Sequence, residues 1–109
     1  MYGLLDRDLK FILEAIGKHA EIEEVIIFGS RAMGNYKKGS DIDLALKGEK
    51  VSGKVVRRLS DDLEEEYPLP YFFDIVSYND IADEAFKNHI DTIGISLWKK
   101  AYKTEMDNI

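Results

Sequence analysis

The sequence predicts an α+β domain of two layers, in which a small mixed β-sheet of three to four strands carries helices packed mainly on one face. Three observations predict it. Apolar residues at helical spacing open the chain, short apolar or alternating runs of strand length follow, and the order reads helix, strand, strand, helix, strand, helix, with a short strand to close. At 109 residues the chain is expected to form one domain over 1–109, and its 45% hydrophobic content suffices for a core without staples.

The first element is a helix over Leu4–Lys18. Leu5, Leu9, Ile12 and Ile16 recur about one turn apart, with Asp6, Arg7, Lys10 and Glu14 between them, a pattern that buries one stripe. Glu24 then leads into Val25-Ile26-Ile27-Phe28, an apolar run of the kind found in a strand covered on both faces. Gly29-Ser30 ends it, and Arg31-Ala32-Met33 has room for one helical turn before Gly34. Residues 35–40 are polar and contain turn formers. Asp41-Ile42-Asp43-Leu44-Ala45-Leu46 alternates strictly. In a strand this puts Asp41, Asp43 and Ala45 on one face and Ile42, Leu44 and Leu46 on the other.

Ser52 is placed to cap a second long helix whose buried stripe is Val55, Val56, Leu59 and Leu63. Glu64, Glu65 and Glu66 have the wrong sign for its C-terminus and read as a solvated face. Pro68 and Pro70 break the chain, and Tyr71 to Val76 reads as a third strand. A third long helix starts at Asn79 or Asp80 and carries Ala82, Ala85, Phe86, His89, Ile90 and Ile93, with Gly94 as its stop. Ile95 to Trp98 makes a short edge strand, and a polar tail over 99–109 is expected to fray.

Composition narrows the function. The absence of cysteine excludes disulfides and thiolate metal sites. His19 and His89 stand far apart in the chain and read as surface or core-edge residues. No apolar run approaches the roughly 20 residues that cross a bilayer, and no signal-peptide pattern opens the chain, so a cytoplasmic protein without membrane contact is expected. A net charge of −6 argues against broad nucleic-acid binding. A polyanionic substrate is admitted where cations bridge it to the protein.

Three features stand apart from ordinary fold grammar. Gly29-Ser30, directly after a buried strand, permits a tight turn and offers a hydroxyl and backbone N–H groups to phosphate oxygens; it also fits a plain turn. Asp41 and Asp43 lie on one face of a strand with Cα atoms about 6.5 Å apart. That pair fits either a solvated edge or two oxygen ligands for Mg²⁺. Asp74 sits inside the apolar run Tyr71-Phe72-Phe73-Asp74-Ile75-Val76. Burying it unpaired would cost several kcal/mol, so it either pairs with Arg31 or a lysine, or joins Asp41 and Asp43 around metal if the third strand lies beside the second.

Taken together, Gly29-Ser30-Arg31-Ala32, Gly34 and Ser40-Asp41-Ile42-Asp43-Leu44 resemble the signature of the DNA polymerase β-like nucleotidyltransferase superfamily. There a Gly-Ser turn is followed by Asp-x-Asp, and a third acid, matched by Asp74, comes from a later strand. The core of the match runs from Val25 to Val76, and the short length and the closing helix with Ile93-Gly94 resemble the minimal nucleotidyltransferase branch. The resemblance implies a nucleotidyltransferase fold and two Mg²⁺ ions, with Mn²⁺ as a substitute. It implies catalytic, metal-binding Asp41, Asp43 and Asp74, and a nucleotide held by Gly29, Ser30, Arg31 and Ser40. Asp41 and Asp43 would bridge the metals, and Asp74 would complete the activating metal's site and take the acceptor's proton. One departure is Met33, which stands where many members carry a second arginine; Lys37 and Lys38 either compensate or belong to a solvated loop.

Few residues remain for an acceptor-binding lobe, so the acceptor must meet a shallow surface, a second copy of the chain or another protein. The minimal branch resembles one half of a toxin–antitoxin pair whose other half is a helical HEPN protein. It therefore implies ATP as donor and adenylylation of a partner tyrosine. Two other readings stay open. One is a non-catalytic module that neutralises a partner by contact, its nucleotide site vestigial, as Met33 and the small size suggest. The other is a small-molecule nucleotidyltransferase of the aminoglycoside kind, which the lack of a second domain disfavours.

Overall fold

The computed structural model of the chain describes residues 1–101. The elements run α1 (Asp6–Gly17), β1 (Glu24–Phe28), α2 (Gly29–Met33), β2 (Ile42–Lys47), α3 (Gly53–Glu65), β3 (Phe73–Ser77), a 3-10 turn (Tyr78–Asp80), α4 (Glu84–Ile93) and β4 (Ile95–Lys99). Four strands form one sheet in the order β3-β2-β1-β4. β1 is antiparallel to β2 and β4, whereas β2 is parallel to β3, a pairing that needs a long crossover, supplied here by α3. The sheet is mixed, as expected.

The two faces are covered unequally. Ile12, Ala15 and Ile16 of α1 and Val55, Leu59 and Leu63 of α3 are buried against Val25, Ile27, Ile42, Leu44 and Leu46. Each large side chain there contributes about 1.5–3 kcal/mol by leaving water. α4 lies on the other face, where Ile90 meets Ile26, Phe28 and Ala45 in a smaller cluster. Because strand side chains alternate, Asp43 shares the face of Ala45, at the margin of that cluster.

Several local expectations shift. α1 starts at Asp6, so Leu5 is 62% exposed, while Asp8 is fully buried. β2 begins at Ile42 and leaves Asp41 just ahead of the strand; β3 begins at Phe73 rather than Tyr71. Ser52 is the N-cap of α3, but its hydroxyl makes no capping hydrogen bond. The third long helix does not start at Asn79 or Asp80: a 3-10 turn intervenes, and α4 starts at Glu84 because the Asp83 carboxylate accepts from the N–H groups of Ala85 and Phe86. Gly94 caps α4 with an extended rather than a left-handed backbone, and glycine is needed there for lack of space. Its φ is −62°, and a Cβ there would strike the Ile90 carbonyl and the Ile26 side chain. β4 runs through Lys99, and Lys100 donates its N–H to the Glu23 carbonyl, so the expected fray does not begin at 99. The remainder of that tail, 102–109, lies outside the described residues.

Candidate active site

The site begins where β1 ends. Phe28 is the register partner of Asp43 in the antiparallel ladder, so the chain turns into α2 at the level of this acid. Gly29 makes the turn at φ 71°, a conformation that disfavours a side chain. A Cβ at Gly29 would collide with Asp43 Oδ2. The glycine thus serves both the backbone turn and the close approach of a carboxylate.

In the parallel ladder Asp43 and Asp74 are register partners, which puts both carboxylates on one face of strands about 4.8 Å apart. Asp41 precedes β2 and is exposed. Burial first, then the charges of Asp74 and Asp41, raise the Asp43 pKa above its ordinary value, while His89 and Arg31 oppose the rise. Two neighbours thus reach Asp43 with negative charge and make it the hub of the cluster. None of the three carboxylates forms a side-chain hydrogen bond or ion pair among the described residues. The pairing of Asp74 with Arg31 or a lysine is therefore not found. Asp74 is exposed, not buried as its apolar neighbours suggested, because the outer face of β3 is open here: Phe72 is 77% exposed.

The other expected site residues divide into two sets. Ser30 sits half-buried in the turn beside Gly29. Arg31 and Ser40, expected at the nucleotide, are committed to the chain itself. Arg31 is 3% exposed; its Nε and Nη2 donate to the Ser40 carbonyl at 3.0 and 2.7 Å, and its Nη1 donates to the Tyr2 carbonyl at 2.9 Å. The Ser40 hydroxyl accepts from the Lys37 N–H at 2.8 Å. These bonds shape the loop that leads into Asp41. His89, not expected here, packs edge-on against Phe28 with ring centroids 6.1 Å apart and reaches Asp43 electrostatically. Its spacing with Phe86 and Ile90 placed it on the inward side of α4, but no sequence signal tied it to the acids.

Hard carboxylate oxygens around an acid that two like charges disfavour fit a divalent cation, whose charge would relieve the repulsion. No group of three or more His, Asp or Glu side chains among the described residues is drawn together tightly enough to hold a metal. The three acids form an open group of carboxylates rather than a closed cage. No helix among the described residues is long and apolar enough to cross a membrane.

A family model for "Polymerase beta, Nucleotidyltransferase" matches residues 10–103. No curated protein matches the chain. Among solved structures it is similar to a toxin–antitoxin solved with AMP-PNP, at 21% identity over 96% of this chain and 79% of that one, with a TM-score of 0.66. A mutant of the toxin–antitoxin MntA-HpeT aligns at 18% identity over 96% and 79% of the two chains, TM-score 0.63. A protein of Shewanella oneidensis aligns at 19% identity over 95% and 77%, TM-score 0.61. At these identities the likeness is one of fold.

Proposed function

The chain belongs to the polymerase β nucleotidyltransferase family, and from that premise we propose that it transfers AMP from ATP to a hydroxyl of a partner protein. The acceptor is a tyrosine of a helical HEPN-type toxin, which the chain neutralises as an antitoxin in the cytoplasm. One observation carries the reading. Asp43 and Asp74, from different strands, are register partners beside the turn at Gly29, where a Cβ would meet the Asp43 carboxylate, and Asp41 lies within electrostatic reach. The shared fold of a toxin–antitoxin solved with AMP-PNP supports ATP as donor and a protein as acceptor.

Two divalent cations, Mg²⁺ or in its place Mn²⁺, would be held by Asp41, Asp43 and Asp74 and would supply charge neutralisation for the triphosphate and a more acidic acceptor hydroxyl. The chain does the rest by positioning. Gly29 lets the Asp43 carboxylate press against the turn. The N–H groups of that turn and the Ser30 hydroxyl hold phosphate oxygens. Asp74, open to solvent, takes the proton of the acceptor hydroxyl as its oxygen attacks the α-phosphorus in line and pyrophosphate leaves. Arg31 acts at one remove, by fixing the carbonyl of the residue before Asp41.

Incubation with ATP labelled at the α-phosphate, Mg²⁺ and the partner protein should label the partner and raise its intact mass by AMP units. The Asp41→Asn/Asp43→Asn double variant should do neither. Absence of transfer under every divalent metal would overturn the reading, and a double variant that still neutralises the partner would mean that contact alone suffices.

A further inference from the structure

We propose that the groove between the 36–39 loop and the segment leading into β3 docks the acceptor-bearing partner, and that it takes an acidic segment carrying an aromatic side chain. The inference rests on the transfer reading above and specifies the partner's chemistry. The groove holds about 510 Å³, and its walls include Arg31, Tyr36, Lys37, Lys38, Pro70 and Tyr71. The Arg31 guanidinium stands 5.6 Å from the Tyr36 ring and 5.3 Å from the Tyr71 ring, and it already donates to two backbone carbonyls. It is a wall, not a free donor. A ligand meets two tyrosine rings, a proline and the ammonium groups of Lys37 and Lys38.

Both lysines are exposed and form no ion pair among the described residues. Among the described residues no Asp or Glu lines the groove, although the chain as a whole carries a net charge of −6. Two adjacent cations at an aromatic groove, with no ion pair among the described residues, favour an anion with an apolar body.

The groove also leads to the acids. Gly39 lines it, and Ser40 and Asp41 follow directly. On the other wall Tyr71 is followed by Phe72. Tyr71, Phe73 and Ile75 pack on the α1 and α3 side, so alternation turns the exposed Phe72 to the face of Asp74. A segment seated in the groove therefore passes over Phe72 to reach the carboxylates. Gly29 and Ser30 do not line it, which separates it from the turn assigned to the donor.

The test titrates the 109-residue chain against fluorescent peptides by anisotropy at low salt, in parallel with a fluorescent ATP analogue. One peptide has a tyrosine flanked by aspartate and glutamate, a second has it flanked by lysine, and a third replaces the tyrosine by alanine. The acidic tyrosine peptide should bind best. Lys37→Glu/Lys38→Glu should weaken it by about tenfold and strengthen the lysine-flanked peptide, as expected for a charge-matched contact. Equal binding of the acidic peptide by variant and wild type would overturn the proposal. So would a variant that keeps the peptide and loses the ATP analogue, because the groove would then serve the donor. Asp43→Asn should abolish transfer and keep the peptide, so that failure of docking and failure of the transfer reading are seen separately.

Discussion

The Asp43 carboxylate occupies the space where any residue other than glycine at position 29 would place its Cβ. The register brings the two together: Phe28 pairs with Asp43, so the next residue turns beside the acid, and it does so at φ 71°. A small patch of chain thereby links the end of β1, the turn assigned to phosphate and the central acid of the cluster.

Gly29→Ala should therefore injure both backbone and chemistry. The left-handed conformation alone costs roughly 1–2 kcal/mol for a side-chain-bearing residue. The displaced carboxylate should lower the transfer rate by about 100-fold, the usual penalty for an ångström of misplacement. In an Asp43→Ala background the collision is gone, and the stability cost of Gly29→Ala should shrink to the backbone share. Urea melts of the four proteins give the comparison; equal costs in both backgrounds would show that the two residues do not interfere.

Arg31→Lys should behave as a positioning defect. An ammonium cannot reproduce the two-pronged contact of Nε and Nη2 with the Ser40 carbonyl while also reaching Tyr2. A loss of roughly 1–3 kcal/mol in stability is expected. Because the bonded carbonyl belongs to the residue before Asp41, turnover should fall more than the KM for ATP rises. Steady-state kinetics decides it: a change confined to KM would return Arg31 to the phosphates.

The fold was legible because each strand and helix carries its own pattern, from the alternation at Ile42–Leu46 to the stripe of Val55, Leu59 and Leu63. What stayed hidden depends on where polar groups find partners. The inward stripe of α1 gave no warning that Asp8 would be fully buried, since its partner, the Tyr71 hydroxyl, is 63 positions away. Arg31 and Ser40 fit a nucleotide motif by spacing, yet spacing does not show that their donors and acceptors meet each other. His89 joins the Asp43 environment only through the packing of α4 against Phe28. Asp74 was expected to be costly because its neighbours are apolar, but alternate neighbours in a strand face opposite ways, and those on its own side include the exposed Phe72.

Tyr71→Phe should destabilise the protein without touching the acids. The Tyr71 hydroxyl donates to Asp8 Oδ2 at 2.7 Å, and Arg7 Nε reaches Oδ1 at 3.3 Å. Burial and the bond to Asp8 raise the Tyr71 pKa, which keeps the phenol a donor. Removing it leaves one oxygen of a fully buried carboxylate unmatched, at a cost of about 1–3 kcal/mol. Asp8→Leu in the same chain should recover most of that loss, because an apolar pair needs no partner. Denaturant midpoints check both steps, and a Tyr71→Phe variant as stable as wild type would mean that the bond contributes nothing net.

At Asp43 stability and chemistry are opposed. An acid whose pKa is raised by folding stabilises the fold in its protonated form; that contribution is complete below the ordinary carboxylate range and is lost as pH rises through the raised value. At neutral pH the metal-free protein thus holds an ionised group that its surroundings disfavour. Asp43→Asn keeps the shape and removes the charge, so it should stabilise the metal-free protein at neutral pH, modestly because solvent screens the half-buried Asp43 from its neighbours. That gain should vanish in acid, where wild-type Asp43 is protonated. Mg²⁺ relieves the same conflict and should raise the wild-type stability, by about 2.7 kcal/mol at a hundred times its Kd, with little effect on the variant. Thermal melts across pH, with and without Mg²⁺, measure all of this. A wild type indifferent to Mg²⁺ in the melt would remove Asp43 from the metal site, and a variant no more stable than wild type at neutral pH would show that the neighbouring charges do not weigh on it.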